Sequence, residues 1–474
     1  MAQTVGTQRE PATSGGRAPI LFCATHSTGE ATTSIVLAGE LARRGVPDLW
    51  FAGDENLRAP VAELDGASPV RFASLGEVNP AVALTMVDDR TYARIHQRSR
   101  VRGLRARARQ LFDVEHLFGR YRALEEVVDR VQPALLVVNR FATHAIQLAL
   151  TRGIPYVITA PCLPSSLVED RLPRGFPRPS SGLPLRRTLA QRLAHAWFRV
   201  GTGTLFLDRT ILRAAVAMHR RMGELGIDPS TARVPVQNAA ARGLLCFSVA
   251  EVDYPFPIPP EVHLVGALVP PVSGDERDAD VHAWLADRPS CVYTAFGSIT
   301  RMTAAQVGAM VEVARQLEGE HAVLWVLRRD QQRFLPPAAE LPRNLRVVDW
   351  VHDQHAVLAH PHVRAFFTHG GSNSVHEGLF FGTPLLVRPT NVDQYDHAVR
   401  AVDTGIGLAV ARPDRVDVDE VTAKLRRVLG DGAFARRAEV LGELQRAAGG
   451  LDAAADLVLD VLAGLDAERA GAGS

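Results

Sequence analysis

Along the chain, short unbroken apolar runs alternate with stretches in which apolar residues recur every three or four positions. The first spacing suits a buried strand and the second an amphipathic helix. Ala18–Ala24 is the first apolar run, and Thr25–Gly29 reads as a turn. Glu30–Gly45 follows with a helical stripe of Ile35, Leu37, Ala38, Leu41 and Ala42. Gly45 closes that helix and Asp48–Gly53 supplies a second strand. Strand, helix, strand in this order marks a parallel sheet, because the crossover helix returns the chain to the same edge. The unit recurs as Leu135–Asn139, a helix over Thr143–Arg152, and Tyr156–Ala160. The N-terminal half is therefore expected to be a doubly wound sheet.

Two long segments interrupt the alternation. Asp88–Arg130 reads as helical, with arginines dense from Arg98 to Arg109. Cys162–Arg233 opens on a Pro/Ser/Gly-rich loop, Leu172–Leu185, and continues as two amphipathic helices near Leu189–Phe198 and Leu205–Leu225. Trp197, Phe198, Leu205 and Phe206 form an apolar strip that is expected to be a core face. Insertions of this kind are also where a doubly wound fold carries its specificity. A boundary falls near Tyr254–Ser273, where prolines crowd and helical character is lost. Beyond it the alternation restarts. Strands are expected at Cys291–Phe296, Ala322–Leu327, Leu345–Trp350, Val363–Thr368 and Pro384–Val387. Helices are expected at Thr303–Leu317, Ser372–Phe381 and Tyr395–Thr404, with three more to about Leu465. The organisation expected is a disordered leader (1–17), an N-terminal Rossmann-like domain (18–264), a C-terminal Rossmann-like domain (265–450) and a last helix (451–474) that can cross back to the first domain. Two such α/β domains face a cleft, which is where a ligand belongs.

Composition narrows the class. Hydrophobic residues make up 46% and charged residues 22%, which excludes wholesale disorder. The 53 basic and 52 acidic residues leave a net charge of +1, so nothing points to nucleic acid as a partner. Lys424 is the only lysine, an arginine bias that suggests GC-rich bacterial coding. Cys23, Cys162, Cys246 and Cys291 form no CxxC motif, and no disulfide framework or metal site is expected, which suits a cytoplasmic protein. No run of 18 apolar residues occurs, so no membrane span is expected, and 1–17 lacks the apolar stretch of a signal peptide.

The chemistry concentrates between Trp350 and Arg400. A strand ends at Thr368, and His369-Gly370-Gly371 leads into a helix starting near Ser372. The two glycines let the backbone approach a ligand closely, and the helix start offers free N–H groups and a positive dipole end that suit a phosphate. His369, Asn373 and Ser374 add side-chain donors. Glu377, about one turn on, is placed to accept two hydrogen bonds from a ribose diol, and Asp393-Gln394 suits the vicinal hydroxyls of a hexose. In order, these groups suit phosphate, ribose and sugar.

This segment resembles the donor-binding signature of the family 1 nucleotide-sugar glycosyltransferases. They include plant and animal UDP-glycosyltransferases and bacterial enzymes that decorate antibiotics. The resemblance extends over nearly the whole chain. Leu41-Ala42-Arg43-Arg44-Gly45 is similar to the end of the family's first helix, and Gly153-Ile154-Pro155 to an N-terminal strand entry. Val265-Gly266 within Pro259–Pro270 is similar to its linker, and Tyr293–Ser298 to its SFGS strand. The resemblance implies a GT-B fold, no required metal or other cofactor, and inversion at the anomeric carbon. It implies that His369 and Ser374 contact the diphosphate with Ser298 nearby, Glu377 the ribose, and Asp393 and Gln394 the sugar. The family's base-lining tryptophan stands nine residues before a His-Pro pair. Trp350 stands ten before His360, so it either stacks on the base or only ends its strand.

An inverting transfer needs a base for the acceptor's proton. Most family members use a histidine at the start of the first helix, oriented by an aspartate at a strand end. By alignment those slots hold Glu30 and Asn139, and both are changed. Three readings stay open. Glu30 is the base, as in glycopeptide-antibiotic glycosyltransferases that carry an acidic residue there, with neutral Asn139 avoiding a second close carboxylate. His26 is the base, reaching in from the turn. Or neither is, and the protein binds sugar nucleotides without transferring them. His144, on the following helix, is the weaker alternative partner.

The expectation is a cytoplasmic, metal-independent glycosyltransferase, monomer or homodimer. Its co-substrate is a UDP- or dTDP-sugar, and its acceptor a small lipophilic, natural-product-like molecule. A sugar-nucleotide epimerase of the same fold and a non-catalytic sugar-nucleotide binder are the alternatives.

Overall fold

A computed structural model describes residues 19–25, 28–272 and 274–472. The leader assigned to 1–17 and the candidate base His26 lie outside the described residues. Two parallel sheets organise the chain. The first contains β1 (Ile20–Cys23), β2 (Leu49–Gly53), β3 (Val70–Ser74), β4 (Leu135–Asn139), β5 (Tyr156–Ala160), β6 (Leu244–Cys246) and β7 (Val262–Leu264), in the order β3-β2-β1-β4-β5-β6-β7. The second contains β8 (Cys291–Ala295), β9 (Ala322–Val326), β10 (Leu345–Val348), β11 (Val363–Thr368), β12 (Leu385–Val387) and β13 (Gly407–Ala409), in the order β10-β9-β8-β11-β12-β13. This is the two-domain, doubly wound architecture expected.

The reason for continuous apolar strands is visible in β1. Its four residues are all buried, and alternate side chains enter opposite layers. Leu21 and Cys23 join Leu136 and Val138 on one face, whereas Ile20 and Phe22 join Leu135, Val137 and Phe51 on the other. The second sheet repeats the sorting, with Tyr293, Leu324 and Phe366 on one face and Val292, Trp325 and Phe367 on the other. Both sheets are therefore covered twice, and their only open edges for chemistry are the strand ends.

The last helix, Gly450–Ala472, returns to the first sheet. Ala454, Val458, Leu462 and Leu465 pack in the same layer as Leu37 and Leu41 of the Thr28–Arg43 helix. Arg44 pairs with Asp452 at 2.7 Å and with Asp456 at 2.5 Å on its exposed side. Each fully buried large aliphatic side chain contributes roughly 1.5–3 kcal/mol, so the strap is held mainly by its apolar stripe.

Two local expectations are corrected. The strip of Trp197, Phe198, Leu205 and Phe206 is not one core face. Phe198 is buried, but Trp197 and Phe206 are 74% and 73% exposed, and Leu205 is half-buried. The Leu189–Gly203 helix turns Phe198 and Gly201 toward the Arg100–Leu111 helix, where a side chain at position 201 would meet Val101 at 2.8 Å. Consecutive helical residues point about 100° apart, so Trp197 is directed away when Phe198 is buried. The second correction is that β10 stops at Val348, which leaves Trp350 two residues beyond the strand and 57% exposed.

Candidate functional site

The second sheet runs outward in both directions from β8 and β11, so the loops after these two strands diverge and leave a crevice at their carboxyl ends. β11 ends at Thr368, and the Ser372–Phe380 helix starts four residues later. Gly370 adopts φ +81°, and a Cβ there would lie 2.6 Å from Val387. Gly371 precedes the helix without a side-chain cap, so its first N–H groups are presented rather than covered by their own turn. The ring of His369 lies between Gly371 and Gly297, the glycine beyond β8. A Cβ at Gly297 would come within 2.8 Å of that ring, and one at Gly371 would collide with it. Burial pushes the His369 pKa down to about 4, against the opposing effect of the Ala295 carbonyl. The imidazole is therefore neutral near pH 7, with its one N–H directed at the Ala295 carbonyl.

Around this centre the other side chains take their places. Glu377 accepts from Gln354 Nε2 at 2.5 Å, and His355 Nε2 lies 3.6 Å from its other oxygen. Burial raises the Glu377 pKa, but His355 and Gln354 outweigh it and hold the carboxyl below its ordinary range. The same contact holds His355 above its ordinary value despite burial. Gln354 also accepts from the Tyr293 hydroxyl at 3.0 Å. Sequence reasoning missed both Gln354 and His355; the available signal was their place at the start of the short Gln354–Ala359 helix that follows β10. Ser374 lies in the first turn of the Ser372–Phe380 helix, half-buried. Ser298 follows β8, and its carbonyl accepts from Arg328 at 2.9 Å. Trp350 stands exposed beyond β10.

Asp393 immediately precedes the Gln394–Asp403 helix. Burial raises its pKa to about 6, Arg107 opposes this, and the charge of Glu30 adds to it. Gln394 Oε1 accepts from Thr390 N, Thr390 Oγ1 and Asn391 N at 2.8, 3.0 and 3.0 Å. The amide oxygen thus folds its own turn, which leaves the amide N–H groups and the Asp393 carboxylate for hydroxyls.

The opposite wall comes from the first sheet. Glu30 lies in the first turn of the Thr28–Arg43 helix, and Thr25 donates to its carboxylate at 2.9 Å. Asn139, fully buried at the end of β4, donates to the backbone carbonyl of Glu30 at 2.9 Å, and its oxygen accepts from Phe141 N at 3.0 Å. It therefore fixes the main chain under Glu30. His144 is buried beside Cys23, and burial lowers its pKa to about 4. That is a core position.

Arg107, from the Arg100–Leu111 helix, was not singled out by the sequence. Burial lowers its pKa while the charges of Glu30 and Asp393, one from each domain, raise it. The arginine-dense run 98–109 was its only signal. The walls also touch directly. Asn373 Nδ2 donates to the carbonyl of Gly29 at 2.6 Å, and His376 Nε2 meets Ser248 Oγ at 2.8 Å. The structure thus brings Glu30 and Asn139 to the cleft face opposite His369, Asn373 and Asp393. Asn373 spans the cleft to the other domain's main chain.

Comparisons with known proteins agree with this arrangement. A sequence profile described as UDP-glucoronosyl and UDP-glucosyl transferase matches residues 204–449, just over half of the chain. UDP-glucuronosyltransferase 3A1 of Homo sapiens is 27% identical over 270 residues, covering 55% of this chain and 49% of that protein. The chain spans about half the length of that relative. Among solved structures, the glycotransferase of kitacinnamycin superposes with a TM-score of 0.66 at 20% identity, covering 93% of this chain and 98% of the other. A UDP-glucose: anthocyanidin 3-O-glucosyltransferase in complex with UDP superposes with a TM-score of 0.62 at 16% identity, covering 95% and 99%. At these identities the structural matches establish a shared fold.

Proposed function

The chain belongs to the UDP-glucoronosyl and UDP-glucosyl transferase family, and from that premise we propose that it moves a sugar from a UDP- or dTDP-sugar to a hydroxyl of a small natural-product-like acceptor, with inversion. The observation that carries the reading is the meeting of the two walls. Glu30 heads a helix whose Gly29 carbonyl is bonded to Asn373, in the first turn of the glycine-led helix. A base and an anion-binding helix start therefore face one space.

In the proposed reaction the diphosphate lies against the N–H groups of the Ser372–Phe380 helix and Ser374, beside the His369 ring, with Ser298 on the same side. Glu377 accepts the ribose hydroxyls, and Asp393 with the Gln394 amide holds the sugar. The exposed ring of Trp350 is the candidate platform for the base. Glu30 takes the proton of the acceptor hydroxyl as its oxygen attacks the anomeric carbon. The bond from that carbon to the diphosphate oxygen breaks, and the departing charge falls on the helix start. The donor is a co-substrate, and the scheme uses no further cofactor. Holding the two walls together excludes water that would hydrolyse the donor. We assign residues 18–264 to acceptor binding and 265–450 to donor binding. Among the described residues no helix is long and apolar enough to cross a membrane, and we place the protein in the cytoplasm, as a monomer or homodimer.

The test is nucleoside diphosphate release from UDP-glucose and dTDP-glucose with a phenolic acceptor panel, for wild type, Glu30→Gln and His26→Ala. Loss of release in Glu30→Gln with retention in His26→Ala supports the scheme. The reverse pattern moves the base to His26. Absence of release from wild type with every pair would leave a sugar-nucleotide binder.

A further inference from the structure

Beside the donor wall lies a cavity of about 890 Å³ that the scheme above does not use. One side is formed by residues 89–100 of the first domain. The other is formed by the loops after β8, β9, β12 and β13. It shares the turn after β12 with the sugar site: Thr390 and Tyr395 line it, and Asp393 and Gln394 lie between them.

The charge lining this cavity is unbalanced. Six arginines and three aspartates face it. Each aspartate already has a guanidinium: Asp89 pairs with Arg301 at 2.7 Å, Asp414 with Arg98 at 2.7 Å, and Asp330 with Arg328, outside the lining, at 3.0 Å. Arg100, Arg333, Arg388 and Arg412 have no carboxylate within ion-pair distance among the described residues. Arg100 lies over the ring of Tyr395 at 4.6 Å, which leaves its N–H edge unmatched by an acceptor charge. Arg388 is the most telling. It is only 3% exposed, and its Nε and Nη1 have no hydrogen-bond partner. A buried guanidinium with unmet donors is costly, and facing a cavity it can be completed by an anion that enters there. The remaining lining mixes polar residues such as His96, Gln97 and Gln306 with apolar and aromatic ones, including Tyr92, Met302 and Phe334.

We propose that this cavity binds the body of an acceptor that carries a carboxylate or phosphate, with Arg388 as the buried end of an arginine clamp and Arg412 at its rim. The planar guanidinium can grip either anion through two parallel N–H bonds. The aromatic lining takes the apolar body, and the shared turn leads from the clamp toward Asp393. The inference rests on the transferase reading only for calling the ligand an acceptor. It refines the lipophilic acceptor expected from the sequence to an amphiphilic, anionic one, and it extends acceptor binding from residues 18–264 to two arginines of the donor-binding half.

The test measures binding apart from transfer. Calorimetric titration of the full chain, without donor, compares 4-hydroxycinnamate with its methyl ester, which lacks the charge and adds one methyl group, so the arginine variants isolate the part due to charge. The acid should bind about tenfold more tightly, as expected for hydrogen bonds to a charged group. Arg388→Gln and Arg412→Gln should each lower the acid-to-ester ratio while leaving ester binding unchanged. Arg412 is exposed, so that variant reports even if removing the buried arginine unfolds the protein. Equal binding of acid and ester, no binding of the acid, or an unchanged ratio in Arg412→Gln and in folded Arg388→Gln overturns the proposal. Release of UDP from UDP-glucose with the phenolic acceptor panel reads the transfer reaction separately. Acid preference without any release would sink the transferase reading and keep the anion clamp; release without acid preference would do the opposite.

Discussion

The two walls of the cleft are built in different ways. On the second-domain wall, His369, Ser374 and Glu377 lie within nine residues of one strand-turn-helix, and glycines at 297, 370 and 371 shape the space around them. On the first-domain wall, Glu30, Asn139 and Arg107 come from three distant segments, and their relation exists only once the sheet is assembled. The difference reflects what each wall has to do. Phosphate and hydroxyl recognition can be built from a helix start and a tight turn, which are local objects. Proton transfer requires one charge to be placed against others in a partly dry space, which is a global one.

Breaking each wall in turn should separate these roles. The largest effect is expected from Glu30→Gln, which should lower kcat by about 10²–10⁴-fold, the usual contribution of a general base, with the donor Kd unchanged in equilibrium dialysis. A donor Kd that shifts along with kcat would mean the two walls are not separable. Next is Gly371→Ala, whose Cβ collides with the His369 ring. Displacing that ring should weaken UDP binding by about 10–100-fold, the loss of one or two charge-assisted hydrogen bonds, read by calorimetry. Unaltered UDP affinity would remove His369 from the diphosphate site. Glu377→Ala should cost about tenfold in donor affinity, again the scale of a hydrogen bond to a charged group. Because the Glu377 carboxyl is held below its ordinary range, its contribution should persist through neutral pH and fade only on acidification through that depressed pKa.

The smallest effect concerns stability. Asp393 has a pKa of about 6 in the folded chain, above the 3.8 ordinary for an aspartate, so folding favours its protonated form. Its cost is absent below the unfolded value, grows as pH rises between the two, and is complete above about 6. Asp393→Asn should therefore raise stability at pH 7.5 relative to pH 4, by about 1–2 kcal/mol once its partial exposure is allowed for. Urea midpoints at the two pH values measure it, and a pH-independent difference would contradict the assigned cause.

The same contrast describes what could be read in advance. β4, β5 and β11 run over the residues that periodicity suggested, because buried parallel strands are short apolar runs that need no knowledge of their neighbours. The turn at 369–371 was legible because glycine marks places where a side chain has no room. Trp197 and Phe206 were misread as core because a helical stripe records which residues share a face, not which face meets the protein. Arg107, Gln354 and His355 were passed over, since an arginine in a basic run or a polar residue opening a short helix carries no local mark of its partner.

By itself, then, the order of residues determined the two α/β halves, the glycine-led helix start and the candidate groups for phosphate, ribose and sugar. All of these depend on backbone preferences and on spacing within a few turns. The tertiary structure decided which residues face each other. It joined Asn373 to Gly29, brought Arg107 within electrostatic reach of Glu30 and Asp393, set Asn139 beneath the main chain of Glu30, and left Arg388 unmatched in an arginine-lined cavity. Such pairings depend on burial and on charge across the cleft, and neither exists until distant segments have packed together.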